Sequence, residues 1–246
     1  MINTRNAIGA ALVALATTFA TDASSATVFF GEDTNPGGTV PSGGASETAR
    51  NDFLSNLSGV STEDFEGLSG SADGATLNFT GSAGTITADL SGTGSFSSGV
   101  AGRFPTSGTT QLGGITNGFT LAFDSAVAAF GFYGTDIGDY NGQITLNMSG
   151  GSSQSFTVNN TVNGPNGSLL FWGIIADDAS ETFTSVSFGN TAAGSDYFGF
   201  DDLTVGDLDQ VSPVPVPASV LLLGSAVAGL GLARRRRKVA ADTQDA

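Results

Sequence analysis

The chain has 246 residues, with 36 Gly and 18 Phe but no Cys and no His, and a formal net charge of −15. Without His or Cys there is no Ser-His-Asp or Cys-His nucleophile and no usual zinc or iron ligand set, which leaves hard-cation chemistry on oxygen and acid–base chemistry on carboxylates. The charge is lopsided: Thr27–Pro213 holds twenty of the 23 acidic residues but only two of the eight basic ones, Arg50 and Arg103, so this body carries −18. Such a surface repels nucleic acid and anionic lipid and suits divalent cations.

The first 26 residues predict a secretory signal peptide. Arg5 is the one cation in a short polar start, Ala7 to Phe19 is apolar, and Ser24-Ser25-Ala26 offers a small–x–small cleavage site, with Ala20 a weaker alternative. Residues 27–58 read as a Gly/Pro/Ser/Thr-rich loop over Gly31–Ala45 and one short helix over Ser46–Leu57. Ala49, Phe53 and Leu57 fall on one face, Glu47 sits in the favourable first turn, and Ser58-Gly59 ends the helix.

Residues 59–209 read as an all-β domain. Thr76–Thr80, Thr85–Leu90, Gly118–Asp124, Gln143–Met148 and Gln154–Val158 alternate apolar and polar residues, as half-buried strands do. Ala126–Tyr133 and Leu169–Ala176 are continuously apolar, as central strands are. Thr184–Phe188 and Phe198–Val205 complete the set. Gly81–Gly102 holds either weak edge strands or a loop. Many short strands between Gly/Asn/Ser turns predict an antiparallel, jelly-roll-like β-sandwich, large enough to fold without disulfides. Trp172, inside Leu169–Ile175, is expected in the core.

Two candidate sites stand out. Glu66 lies at the start of the β region, and Asp201 and Asp202 lie in its last strand. If first and last strands are neighbours, these carboxylates meet and can hold a structural Ca²⁺. By period two, Asp201 should share a face with Leu203 and Val205, and a buried carboxylate needs a partner. The weighed alternative is three acids on the solvated surface. The second candidate is the loop Tyr133–Gly142. Asp136, Asp139 and Asn141 can accept from sugar hydroxyls or wrap a cation, and Tyr133 and Tyr140 can stack on a sugar ring. A plain Gly/Asp turn is the bland reading, and the spacing is not an EF-hand. Acidic Asp177, Asp178 and Glu181 are expected as an exposed turn. No Gly-x-Gly pair precedes a helix pattern, so no phosphate loop is implied.

Residues 210–246 form a three-part tail. Val214, Pro215, Val216, Pro217 and Ala218 make a Pro-rich stop, since proline keeps the preceding backbone extended. An uncharged helix follows to Ala233, rising about 24 Å against a hydrocarbon core of about 30 Å. Arg234, Arg235, Arg236, Arg237 and Lys238 then stop transfer and stay cytoplasmic, with snorkelling to cover the shortfall. This predicts a transmembrane helix rather than a buried core helix.

The Val-Pro-Val-Pro-Ala-Ser motif, the short Gly/Leu/Ala helix and the Arg run resemble the PEP-CTERM sorting signal in its VPLPA variety. Val216 stands where that variety usually has Leu, and Val239–Ala246 extends past its usual end. The resemblance implies export by a polysaccharide-producing bacterium and processing near the Pro motif by an exosortase. The expected protein is exported and non-enzymatic, held at the membrane by its tail before processing and afterwards at the cell surface or in the extracellular matrix. Its expected partners are the exosortase and matrix polysaccharide, with no nucleic acid, and its role is to bind glycan or to build matrix. The alternative is a carboxylate-dependent glycoside-active enzyme, and a protein-adhesion module is a third reading.

Overall fold

A computed structural model describes residues 26–34, 36–100, 102–115, 118–137, 143–151, 153–158, 168–189 and 197–212. The signal peptide before Ala26 and the tail from 213 onward lie outside the described residues, as do Asp139, Tyr140 and Asn141. No helix among the described residues is long and apolar enough to cross a membrane.

In chain order the elements are β1 (Thr27–Thr34), α1 (Ala45–Ser55), β2 (Ser61–Glu63), β3 (Gly70–Ser71), β4 (Thr76–Gly81), β5 (Gly84–Gly92), β6 (Ser95–Ser97) and β7 (Gln111–Ile115). Then come β8 (Gly118–Val127), β9 (Ala129–Thr135), β10 (Gln143–Met148), β11 (Ser153–Thr157), β12 (Ser168–Ile175), β13 (Phe183–Gly189) and β14 (Phe198–Gly206). The first sheet runs β1-β12-β9-β14-β7-β6-β3, with β2 also paired to β14. The second runs β11-β10-β13-β8-β5-β4. Every pairing is antiparallel. The described residues therefore form an all-β sandwich with one α-helix.

The alternating strands do what their pattern requires. Leu77 and Phe79 of β4, Ile86, Ala88 and Leu90 of β5, and Phe119, Leu121 and Phe123 of β8 all point into the space between the sheets. Phe200 sits at the centre, its ring 4.7–4.9 Å from those of Phe132, Phe119 and Phe188 and 5.3 Å from that of Phe198. Trp172 is 2% exposed and packs on Phe132 and Phe156, as a core residue. Strands β9 and β12 are buried along their whole length because the second sheet covers one face and α1 the other.

The helix is seated by one ring. Phe53 is fully buried against Phe29 and Phe171. Gly131 and Gly173 let it lie on bare strand backbone, since a Cβ at either would stand 2.8–2.9 Å from its ring atoms. Asp33 of β1 holds the helix N-terminus, accepting from the Ala45 and Ser46 amides and the Ser46 hydroxyl. Burial works against its charge, but those three donors and the helix dipole keep its carboxyl below the ordinary range.

Several segments differ from the sequence expectations. Glu181, expected in an exposed turn, is 8% exposed and accepts from the Asp177 amide. Strand β1 runs on through Gly31 to Thr34, where the composition predicts loop, because β12 pairs with it along its length. The apolar run Ala126–Tyr133 is two strands, one in each sheet. The chain crosses at Ala128, whose amide donates to Gly206 O and whose carbonyl accepts from Ala176 N. The 210–212 segment, expected as the start of the tail, still belongs to the body: Gln210 is 3% exposed, Val211 bridges to Leu57, and the Ser212 amide donates to Asn56 O.

Candidate functional site

The early and late acids are brought to one loop. Strand β2 lies antiparallel to β14, with Glu63 opposite Leu203, so Asp64-Phe65-Glu66 leaves the sheet beside Asp201 and Asp202. Phe65 turns there in the left-handed region (φ 58°), stabilised by its amide donating to Glu63 Oε1 at 2.8 Å and by full burial of its ring.

The expected face of Asp201 is overturned. The β14–β9 register shifts between Asp201 and Thr204, and Asp202 takes a left-handed φ of 51°. That extra residue moves the inward set from Phe198 and Phe200 to Leu203 and Val205. Asp201 therefore leaves the inner core and pairs with Tyr133 on the outer side of the sheet.

There the 104–110 loop buries it. Asp201 Oδ2 accepts from the amides of Thr106 (2.6 Å) and Ser107 (3.2 Å) and from the Thr106 hydroxyl (3.1 Å), and its Oδ1 accepts from the Asp202 amide (2.8 Å). Asp202 accepts from the hydroxyls of Thr106 (3.0 Å) and Ser107 (2.7 Å). Glu66 takes the other half of the loop: its Oε1 accepts from the amides of Thr109 and Thr110, each at 2.6 Å. Gly108, at φ 52°, has no room for a side chain, because a Cβ would stand 2.4 Å from Glu66 Oε1.

Two electrostatic environments result. Glu66 is solvent-exposed, and the amides of Thr109 and then Thr110 hold its carboxyl below the ordinary range. Asp201 is 1% exposed. Burial first, and the Asp202 carboxylate next, push it up to about 7 against the amides that favour its charge. As a calcium cage the set is right in kind, all oxygen, but short in number: no group of three acidic side chains among the described residues is placed to hold a metal. Backbone N–H groups also occupy the oxygen that Asp201 would offer.

The second candidate loop is described only in part. Tyr133 is 3% exposed, with its ring edge-on to Phe171 at 5.5 Å and under the Arg50 guanidinium at 5.8 Å. Burial pushes its hydroxyl up to about 12. Contrary to the expectation from sequence, it offers no open face to a sugar. The reason is its place in β9, opposite Phe171 on β12 and beneath the helix. Asp136, at φ 58°, accepts from Arg103 Nη1 at 3.3 Å.

Arg103 ties that corner together. Its Nη1 also donates to Tyr197 O at 3.0 Å, and its guanidinium lies 5.3 Å from the Tyr197 ring centre. Beside them a cleft of about 220 Å³ opens between β6, β7, Gly99, Val100 and Arg103. A larger cleft of about 570 Å³ lies where the body's first strand and its last described residues meet, lined by Phe29, Ile175, Leu208 and Val211. The Thr106–Thr110 clamp and the Arg103–Tyr197 pair are not among the candidates that the sequence suggests. The one available signal was that Arg103 is one of only two cations in a strongly acidic body.

No family model matches the chain, and no curated protein matches it. Among solved structures, the K2 cleaved adhesin domain of Lys-gingipain is similar at a TM-score of 0.35 and 14% identity, over 60% of this chain and 97% of that one.

Proposed function

We propose that the protein is an exported, non-catalytic β-sandwich, delivered by its signal peptide, processed at its tail by an exosortase-type enzyme and working at the cell surface or in the matrix as a glycan binder or structural component. One observation carries this reading. The strands from Thr27 to Gly206 pair into two sheets around a common buried core. The expected cuts, after Ala26 and near Pro217, would therefore spare the whole sandwich. Intact-mass analysis of protein from the native host tests it. The expected result is loss of about residues 1–26 and of the stretch after Pro217. Mature protein still carrying Arg234–Lys238 overturns the exosortase step.

Calcium remains a proposal within this reading. Asp201 and Asp202 are adjacent and buried, and either a cation or a proton can relieve their repulsion. A glycoside-active enzyme would need a carboxylate pair facing a cleft. Asp201 has a raised proton affinity suited to a general acid, but the 104–110 loop covers it.

A further inference from the structure

We propose that the cleft beside Arg103 and Tyr197 binds one uncharged sugar ring of a polysaccharide, with Tyr197 as the stacking surface and Arg103 and Gln111 as hydrogen-bonding groups. This deepens the glycan-binding arm of the reading above and rests on it.

Tyr197 is 47% exposed, whereas Tyr133 and most of the Phe rings of the described residues are buried; Phe30, at 39%, is the exposed Phe. It does not hang free: Arg103 lies over the ring and donates to the Tyr197 carbonyl, so ring and guanidinium form one fixed unit. A preordered aromatic ring loses little entropy when a ligand stacks on it, and its apolar face matches the C–H face of a pyranose.

The charge around the cleft selects the ligand. Asp136 neutralises Arg103 at 3.3 Å, and the body as a whole carries −18. An acidic polymer would be repelled, whereas sugar hydroxyls can both donate to Asp136 and accept from Arg103. The two described hydrogen bonds of Arg103 use Nη1 alone, and a guanidinium has five N–H groups.

Gln111 lies at the floor of the cleft and is 1% exposed. Its amide nitrogen is the end nearer Gly99 and Gly113, whereas its buried Oε1 is turned toward Gly199 and Thr135. The nitrogen is therefore the end that can donate to a sugar hydroxyl. Apart from Val100, the rest of the lining is glycine and serine. Gly99 cannot carry a side chain, since a Cβ would stand 2.4 Å from Arg103 O, and a Cβ at Gly113 would press on the Ser97 hydroxyl at 3.3 Å. Exposed backbone and a serine hydroxyl are what a polyhydroxylated ring can meet at close range. The volume, about 220 Å³, lies below the roughly 300–1,000 Å³ of sites for drug-sized ligands and fits one ring of a longer chain. The larger cleft beside Phe29 and Val211 is mostly apolar and presents no such convergence.

The test is saturation-transfer NMR on the full-length protein in detergent, with maltohexaose, cellohexaose and chitohexaose as neutral probes and alginate as the acidic one. At least one neutral oligosaccharide is expected to bind in preference to alginate. Tyr197→Ala should weaken it about tenfold, the scale of one lost aromatic contact. Gln111→Met, which removes the amide donor together with its unpartnered Oε1 at similar volume, should weaken binding while leaving melting unchanged or higher. A structural role for Gln111 would instead lower melting. If a neutral probe binds wild type and both variants equally, the protein binds glycan elsewhere and this site is wrong. If no probe binds wild type, the glycan arm falls and the structural-component reading stands. Preference for alginate overturns the assignment of an uncharged ligand.

Discussion

Asp201 makes the body lose stability as pH rises through the slightly acidic range. The unfolded chain releases this proton near 3.8 and the folded chain near 7. Between those values the folded state holds one proton more, so raising the pH favours unfolding. A gap of about three pH units at about 1.4 kcal/mol each gives at most about 4 kcal/mol across the window. Glu63, half-buried, is shifted the same way by burial, and general repulsion in a body of −18 also grows with pH. The difference between wild type and Asp201→Asn isolates the one carboxyl. The Asn carbonyl can still accept from Thr106 and Ser107, while its NH₂ would face the Asp202 amide, a cost that does not vary with pH. The assay is urea unfolding from about pH 4 to about pH 8 in constant high salt, which screens long-range charge. The expected wild-type curve falls more steeply than that of Asp201→Asn. Parallel curves would refute the buried-proton account. Repeating both in millimolar Ca²⁺ and in EDTA decides between proton and cation. Calcium bound there would flatten the wild-type curve and raise its stability at the alkaline end, whereas identical curves leave the proton.

Phe53→Ala should cost about 3–5 kcal/mol in denaturant unfolding, because it empties the contact between α1, Phe29 and Phe171 and uncovers two strand glycines. A loss below about 1 kcal/mol would mean that the ring does not seat the helix. Glu66→Ala should speed hydrogen exchange at the Thr109 and Thr110 amides and leave the melting midpoint nearly fixed, since Glu66 is exposed and its role is local. In wild type the same protection should fade as pH drops through the lowered pKa of Glu66. Protection unchanged in Glu66→Ala would show that the loop is held without it.

Legibility in the sequence followed strand length and the number of covered faces. Strands β4, β5, β8, β10 and β13 are six residues or longer, and most keep a period of two, so their patterns marked them within a few residues. Strands β9 and β12 were legible as apolar runs because both faces are covered. Strands β2, β3 and β6 have two or three residues each, too few to show any period. Strand β7 contains Gly113-Gly114, so its burial comes from its neighbours rather than its own side chains. Gly31 disguised β1 as loop, although glycine is needed there because Ala45 O stands 2.0 Å from where a Cβ would lie.

The candidate site was legible in its membership and not in its geometry, and one residue accounts for much of the difference. Period-two counting from Leu203 and Val205 puts Asp201 inward. The left-handed turn at Asp202 inserts one residue and sends Asp201 outward, beneath a loop some 95 residues earlier in the chain. A sequence pattern carries no mark of such a bulge, because the strain at Asp202 is offset by hydrogen bonds to Thr106 and Ser107 that form only in the folded state. The hydroxyl-rich Thr106-Ser107-Gly108-Thr109-Thr110 run reads alone as a solvated turn. Beside three carboxyl groups it is the set of donors that lets an acidic protein bury two of them, Asp201 and Asp202, next to each other.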